Sequence, residues 1–181
     1  YTKAQLYLLQ GKILKDKGKF KEAIKFIEEG IEISRINNLV ECSFSLFSML
    51  GTIFTEERKI KQAEYCFQSA LRFKNQEQIK KKNIFINTHI HLRELYIDQK
   101  LWLEAEEQIQ NALALSKKCN DELKQIDALI TLGVLYLSQN RKNEAVVPLN
   151  HASKLAKQHK LTSKEGKIYF QLASCYRELD Q

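Results

Sequence analysis

Phe47-Ser48-Met49-Leu50-Gly51-Thr52-Ile53-Phe54, followed after a short gap by Ala63-Glu64-Tyr65-Cys66-Phe67-Gln68-Ser69-Ala70, carries the reading of this chain. In both segments the apolar residues recur at spacings of three and four, the period of an amphipathic helix. Each segment also holds a small residue, Gly51 or Ala63, where a neighbouring helix can approach closely. The arrangement recurs as Leu129-x-x-Leu132-Gly133-x-x-Tyr136 with Ala145-x-x-x-Leu149-x-x-Ala152. Two weaker copies read Tyr7-x-x-Gln10-Gly11-x-x-Leu14 with Ala23-x-x-x-Ile27-x-x-Gly30, and His89-x-x-Leu92-Arg93-x-x-Tyr96 with Ala105-x-x-x-Ile109-x-x-Ala112. A fifth opens with Tyr169-x-x-Leu172-Ala173-x-x-Tyr176. The anchoring alanines Ala23, Ala63, Ala105 and Ala145 lie 40, 42 and 40 residues apart.

A fixed period of this size points to stacked supersecondary units, none of which buries its apolar face alone. Each unit reads as two helices parted at Lys17-Gly18-Lys19, Glu57-Arg58-Lys59, Gln99-Lys100 and Gln139-Asn140-Arg141. Gly18 and Asn140 are residue types that tolerate the left-handed conformation ending a helix. With six Gly and one Pro in 181 residues, turn-dense all-β and Pro-rich architectures are disfavoured. Pro148 is expected to bend a second helix near its start, because it removes a backbone hydrogen bond and crowds the preceding turn. The longest apolar run, Phe44 to Phe54, is broken by Ser45, Ser48, Gly51 and Thr52, so it does not read as a membrane span. The chain opens at Tyr1 with no signal-like segment, which we read as a fragment of a larger protein.

The chemistry that would mark an enzyme is missing from the sequence. There is no Gly-rich phosphate loop, no nucleophile elbow and no H-E-x-x-H, so no catalytic residue and no cofactor is expected. The carboxylate pairs Glu28-Glu29, Glu56-Glu57 and Glu106-Glu107 diverge by about 100° on a helix and read as wet surface. Cys42, Cys66, Cys119 and Cys175 are scattered and His89, His91, His151 and His159 have no ligand set beside them, so no metal is expected. Unpaired thiols suit a reducing, cytoplasmic compartment. The net charge of +7 favours acidic partners. Carboxylates interleave with the Lys clusters and aromatic residues do not, which disfavours nucleic acid.

The repeat resembles the tetratricopeptide repeat, whose W-x-x-L-G-x-x-Y…A-x-x-x-F…P signature is matched in type most fully in the second and fourth units. The resemblance implies an all-α fold: an α-solenoid of stacked antiparallel helix pairs forming a right-handed superhelix of about nine helices. It covers nearly the whole chain as one array, with units at about residues 2–38, 39–78, 79–120 and 121–160 and a first helix over 161–181. The period is longer than the usual 34 residues, and Arg35, Asn75, Lys117 and Lys157 replace the terminal Pro, so the second helices are free to run on by a turn or more. Arg93 replaces a small residue and is expected to splay the third pair unless its guanidinium reaches solvent. Units of this length are similar to those of spindle-orientation adaptors built on Leu-Gly-Asn repeats, of kinesin light chains and of peptide-sensing bacterial regulators.

The function implied by the resemblance is capture of a peptide or helix on the strip that successive first helices turn inward. Mapped onto this chain, the strip comprises Gln5, Leu8, Lys12 and Lys15, then Ser45, Ser48, Thr52 and Thr55, then Asn87, Ile90, Glu94 and Asp98, then Asp127, Ile130, Val134 and Leu137, and finally Lys167, Phe170, Ser174 and Arg177. Its apolar middle and basic ends suit a partner with apolar anchors and acidic flanks. The segment Ala128 to Leu137 is apolar on all sides and reads equally well as groove or core. The Lys and Asn residues by which some family members hold a chain-terminal carboxylate are not reproduced, since Leu8, Ser48 and Thr52 stand in their places. The expected function is therefore a non-catalytic interaction scaffold or adaptor; the alternative is a peptide-sensing domain of a signalling or transcription regulator. Self-association is left open.

Overall fold

The computed structural model describes residues 2–179. Among them nine α-helices succeed one another: α1 (Lys3–Asp16), α2 (Phe20–Ile36), α3 (Val40–Glu56), α4 (Ile60–Leu71), α5 (Ile84–Asp98), α6 (Trp102–Lys118), α7 (Glu122–Ser138), α8 (Lys142–Gln158) and α9 (Thr162–Leu179). No strand occurs among the described residues. The chain divides into two compact halves within α5, between Leu95 and Tyr96. In the first half α1 packs on α2, α2 on α3 and α3 on α4, and α1 also touches α3. In the second half α6 packs on α7, α7 on α8 and α8 on α9, and α7 also touches α9.

The small residues of the motif lie where helices meet. A Cβ built on Gly11 would stand 2.6 Å from Ile27 Cγ1, one on Gly51 2.6 Å from Phe67 Cε1, and one on Gly133 2.5 Å from Leu149 Cγ. Each of these three glycines thus receives the large residue of its own second helix, and Ile27, Phe67 and Leu149 are completely buried. Ala23, Ala63, Ala105 and Ala145 are also fully buried. Phe44 meets Phe85 edge to face, with centroids 4.8 Å apart, which brings α5 onto α3. Arg93, whose side chain is only 16% exposed, donates from its guanidinium to Glu94 at 2.7 Å.

The turns repeat as well. In α1, α3, α5 and α7 the second residue after the helix's last adopts positive φ: Gly18 (71°), Arg58 (58°), Lys100 (60°) and Asn140 (61°). The next amide then donates back to the carbonyl five residues earlier, as in Lys19 to Leu14 at 2.9 Å and Arg141 to Tyr136 at 2.8 Å. This closes the end of the helix. Asn38, Asn120 and Lys160 do the same after α2, α6 and α8. Those three helices run to 17 residues, but α4 stops after 12 and passes into a short 3-10 helix, Arg72–Asn75. The expected extension of the second helix therefore fails in the second pair. There Phe73 packs 6.3 Å from Phe47, and Lys82 Nζ donates to the Lys74 and Gln76 carbonyls, which pins a looped connector instead. The two residues by which one repeat spacing exceeds the others fall in the span containing this connector. α8 continues through the buried Pro148 without a break.

Gly51→Leu should lose about 1–3 kcal/mol or more, because Phe67 has no room to retreat. Gly166→Ala on α9, where an added Cβ meets nothing within 4 Å, should instead gain about 0.5–1 kcal/mol from helix propensity. Thermal unfolding of the two variants should move in opposite directions from wild type; an unchanged melting temperature for Gly51→Leu would contradict the packing frame.

Candidate functional site

In the first half, α1, α3 and α5 line one cavity of about 390 Å³. Its walls include Lys12 and Lys15 from α1, Ser48 and Thr52 from α3, and Asn87 and His91 from α5, over a floor to which Phe44, Met49 and Ile84 contribute. Six residues of the sequence-derived strip, Lys12, Lys15, Ser45, Ser48, Thr52 and Asn87, are thus brought together. Leu8, Ile90 and Glu94 lie on the same three helices but are not among the walls. Two hydroxyls here are spoken for: Thr52 Oγ1 donates to the Met49 carbonyl at 2.8 Å and Ser45 Oγ to the Glu41 carbonyl at 2.9 Å. Ser48 Oγ is buried with no hydrogen-bond partner. Lys15 is held by Glu56 of α3 at 3.1 Å. Lys12 is exposed and has no ion-pair partner among the described residues, so its ammonium is the cation left for an acidic ligand group.

His91, which the sequence did not assign to the site, enters the cavity with its ring stacked on Phe67 at 5.2 Å. Its Nδ1 lies 3.6 Å from a Glu94 carboxylate oxygen. The imidazole, and with it the Arg93 guanidinium, holds the Glu94 carboxyl below the usual range, against the opposing effect of burial. The signal for His91 was available only as helical spacing: it lies four residues after Asn87, on the same face of α5.

In the second half the strip residues lie on α7 and α9. Ile130 and Leu137 are half-buried, Val134 is exposed, and Phe170 and Arg177 stand out on α9. The opposite side of α7, with Ile126, Leu129, Leu132, Leu135 and Tyr136, is buried. A helix that looks apolar all round in sequence therefore has one side in the core and one strip reachable. Asp127 pairs with Lys164, and Glu122 with His159, tying α7 to the end of α8 and the start of α9. No group of three or more side chains able to hold a metal converges among the described residues.

Residues 4–37 and 86–158 match the tetratricopeptide repeat family. The chain belongs to this family. Solved structures agree in fold. The apo form of RapI superposes with a TM-score of 0.84 at 16% identity, over 98% of this chain and 49% of that one. A signal transduction ATPase with numerous domains from Pyrococcus horikoshii, which carries a tetratricopeptide repeat sensor, gives 0.77 at 18% identity, over 96% and 26%. YrrB, a tetratricopeptide protein described as having an unusual peptide-binding site, gives 0.66 at 14% identity, over 96% and 76%. At these identities the likeness is one of fold. The chain spans about half the length of RapI and about a quarter of the ATPase. No curated protein matches it in sequence.

One polar cluster of this tetratricopeptide chain is contrary to the sequence reading. Glu106, taken as wet surface, is largely covered and joins α6 to α7 and α8: Tyr136 Oη donates to Glu106 Oε1 at 2.7 Å and Arg141 Nη1 to Oε2 at 2.9 Å. Arg141 lies over the Tyr136 ring at 4.3 Å and forks to Glu144. Burial, and then the bond to Glu106, pushes the Tyr136 phenol up to about 12. A phenol whose folded value exceeds its ordinary value of about 10 stabilises fully below that pH, and the contribution disappears as pH rises toward 12. Wild type should accordingly lose melting temperature between pH 10 and 12 more steeply than Tyr136→Phe, and ultraviolet phenolate titration should lose its highest step in that variant. Identical slopes would show that Tyr136 carries no such linkage.

Proposed function

We propose that this chain is a non-catalytic scaffold whose first helices capture a segment of a partner protein. One observation carries the reading: three successive first helices, α1, α3 and α5, meet around a cavity with an apolar floor and an unpaired Lys12 at its side. Tetratricopeptide membership supports it, as does the peptide-binding site described for YrrB. A bound peptide would set an apolar residue on Phe44, Met49 and Ile84 and an acidic one toward Lys12. In the second half, Ile130, Val134, Leu137 and Phe170 offer apolar anchorage of their own, and acidic flanks answer the basic residues at that end of the strip, Lys167 and Arg177. A reducing, cytoplasmic setting fits cysteines of which Cys66 has its thiol pushed up to about 12 by burial and is poorly reactive. No helix is long and apolar enough to cross a membrane among the described residues.

A second reading, a sensor domain that reports a bound peptide to an attached effector, is favoured by the likeness to the tetratricopeptide sensor of the signal transduction ATPase. The two readings share the same face. They differ in the consequence of binding, which is recruitment in the first and a signal to the effector in the second.

The test is co-purification of partners with wild type and with an Ile130→Asp, Val134→Asp double variant. Both positions are partly exposed, so far-UV circular dichroism should be unchanged while the partner is lost. Retention of the partner by a folded double variant would remove these residues from the site. Affinity that collapses steeply with salt would favour a polyanion over a peptide with apolar anchors.

A further inference from the structure

Among the described residues, the connector between α4 and α5, residues 72–83, is the one join between helices that does not reverse through a positive-φ turn. It also differs in charge. At the turns after α1, α2, α3 and α7 a basic residue has a carboxylate beside it: Lys19 with Glu22 at 3.2 Å, Arg35 with Glu32 at 3.0 Å, Lys59 with Glu57 at 3.0 Å and Arg141 with Glu144 at 2.6 Å. The connector holds Arg72, Lys74, Lys80, Lys81 and Lys82 against a single carboxylate, Glu77. Of these five, Lys82 is used internally, donating from Nζ to the Lys74 and Gln76 carbonyls at 2.9 and 2.8 Å. Arg72, Lys74, Lys80 and Lys81 make no ion pair among the described residues.

The charge is held in place by two apolar anchors. Phe73 packs on Phe47, and Ile79 is completely buried. Lys80 and Lys81 therefore leave the surface between a fixed Ile79 and a fixed Lys82, and both are exposed, as is Arg72 beside Phe73. Like charges on an anchored segment repel one another, and a bound anion relieves that repulsion. The reversal between helices does not require them, since the other turns close with backbone hydrogen bonds alone.

The remaining side chains select the anion. Base stacking needs an exposed aromatic ring, and the connector's one ring, Phe73, is taken by Phe47. Settling into a membrane surface needs exposed apolar residues, and its one aliphatic residue, Ile79, is buried. What the connector exposes besides its cations is amides and Glu77, as at Asn75, Gln76 and Gln78. Cations with amide donors between them suit the carboxylates of an extended peptide.

We propose that the 72–83 connector is a docking site for a run of aspartate and glutamate residues in a partner protein, held by Arg72, Lys74, Lys80 and Lys81. Ile84, which contributes to the cavity floor, follows Lys81 by three residues, at most about 11 Å of extended chain. One partner segment therefore reaches both surfaces when its acidic run lies within a few residues of its apolar anchor. The connector itself binds through charge, so this assignment and that of the cavity can fail separately.

The experiment uses the 181-residue chain and fluorescein-labelled octaglutamate, followed by fluorescence anisotropy at low salt, with octaglutamine as the neutral control. Octaglutamate carries no apolar anchor, so the cavity does not enter the result. Lys80→Glu with Lys81→Glu should weaken its binding at least about tenfold. Lys21→Glu with Lys25→Glu, at exposed positions near the start of α2, changes the net charge equally and should leave the affinity within about twofold. Bound octaglutamate should also protect Lys80 and Lys81, and not Lys21 and Lys25, from acetylation of their amines. Far-UV circular dichroism should match wild type in both variants; should the connector variant unfold, Lys80→Gln with Lys81→Gln tests the same contacts without adding carboxylates. No binding, equal binding of octaglutamine, or equal losses in the two double variants overturns the proposal. Tighter binding of a single-stranded oligothymidylate of equal charge, or of phosphatidylserine vesicles, abolished by the same connector substitutions, would overturn it too, by giving the connector to nucleic acid or to membrane.

Discussion

A side chain cannot occupy the space where a first helix crosses its own second helix, and the rest of this structure depends on that exclusion. At Gly11, Gly51 and Gly133 the partner's side-chain atoms come within 2.5–2.6 Å of where a Cβ would be. Because the helices approach so closely, one large residue of each second helix fills the gap completely, at a gain of about 1.5–3 kcal/mol per buried side chain. The close pair then presents a second apolar side to the next pair: Leu46 and Ile53 of α3, or Ile168 of α9, are fully buried against the helices that precede them. The remainder of each first helix is a strip pointing away from both contacts.

The turns show a constraint of another kind. Positive φ at Arg58, Lys100 and Lys160 costs about 1–2 kcal/mol each relative to a relaxed backbone. It is offset at every site by the same backbone hydrogen bond back to the end of the helix, and by the tight reversal that lets the next helix begin. The geometry of the pair, not the preference of the turn residue, determines the conformation. Where tertiary contacts offer the chain something else, as Phe47 and Lys82 do around the connector after α4, the pattern gives way to a 3-10 turn and loop.

Polar groups along the first helices divide into those used internally and those left over. Ser45 and Thr52 return their hydroxyls to their own helix, and Lys15 is spent on Glu56. Lys12 and the buried Ser48 Oγ are left over, both at the same cavity. In the second half the leftovers are apolar, on α7 and α9. Such a division leaves different chemistry exposed at different points along one family fold.

By itself the sequence determined the helix pairs and marked Gly51, Gly133, Ala63 and Ala145 as points of close approach, because a helix repeats its faces every 3.6 residues and the repeat supplied the same answer several times. That Phe67 and Leu149 fill the space at the glycines of their own pair was decided by the tertiary structure. The sequence also marked Lys12, Lys15, Ser48 and Thr52 as sharing a strip. Only the tertiary structure decided which of them still has something to offer. That Lys15 is neutralised by Glu56, that Glu106 is a covered hub for Tyr136 and Arg141, and that α7 keeps one apolar strip reachable are facts about side chains 30 or more residues apart in sequence. Helical periodicity is local. It assigns a residue to a face, and burial and pairing depend on what another helix brings to that face.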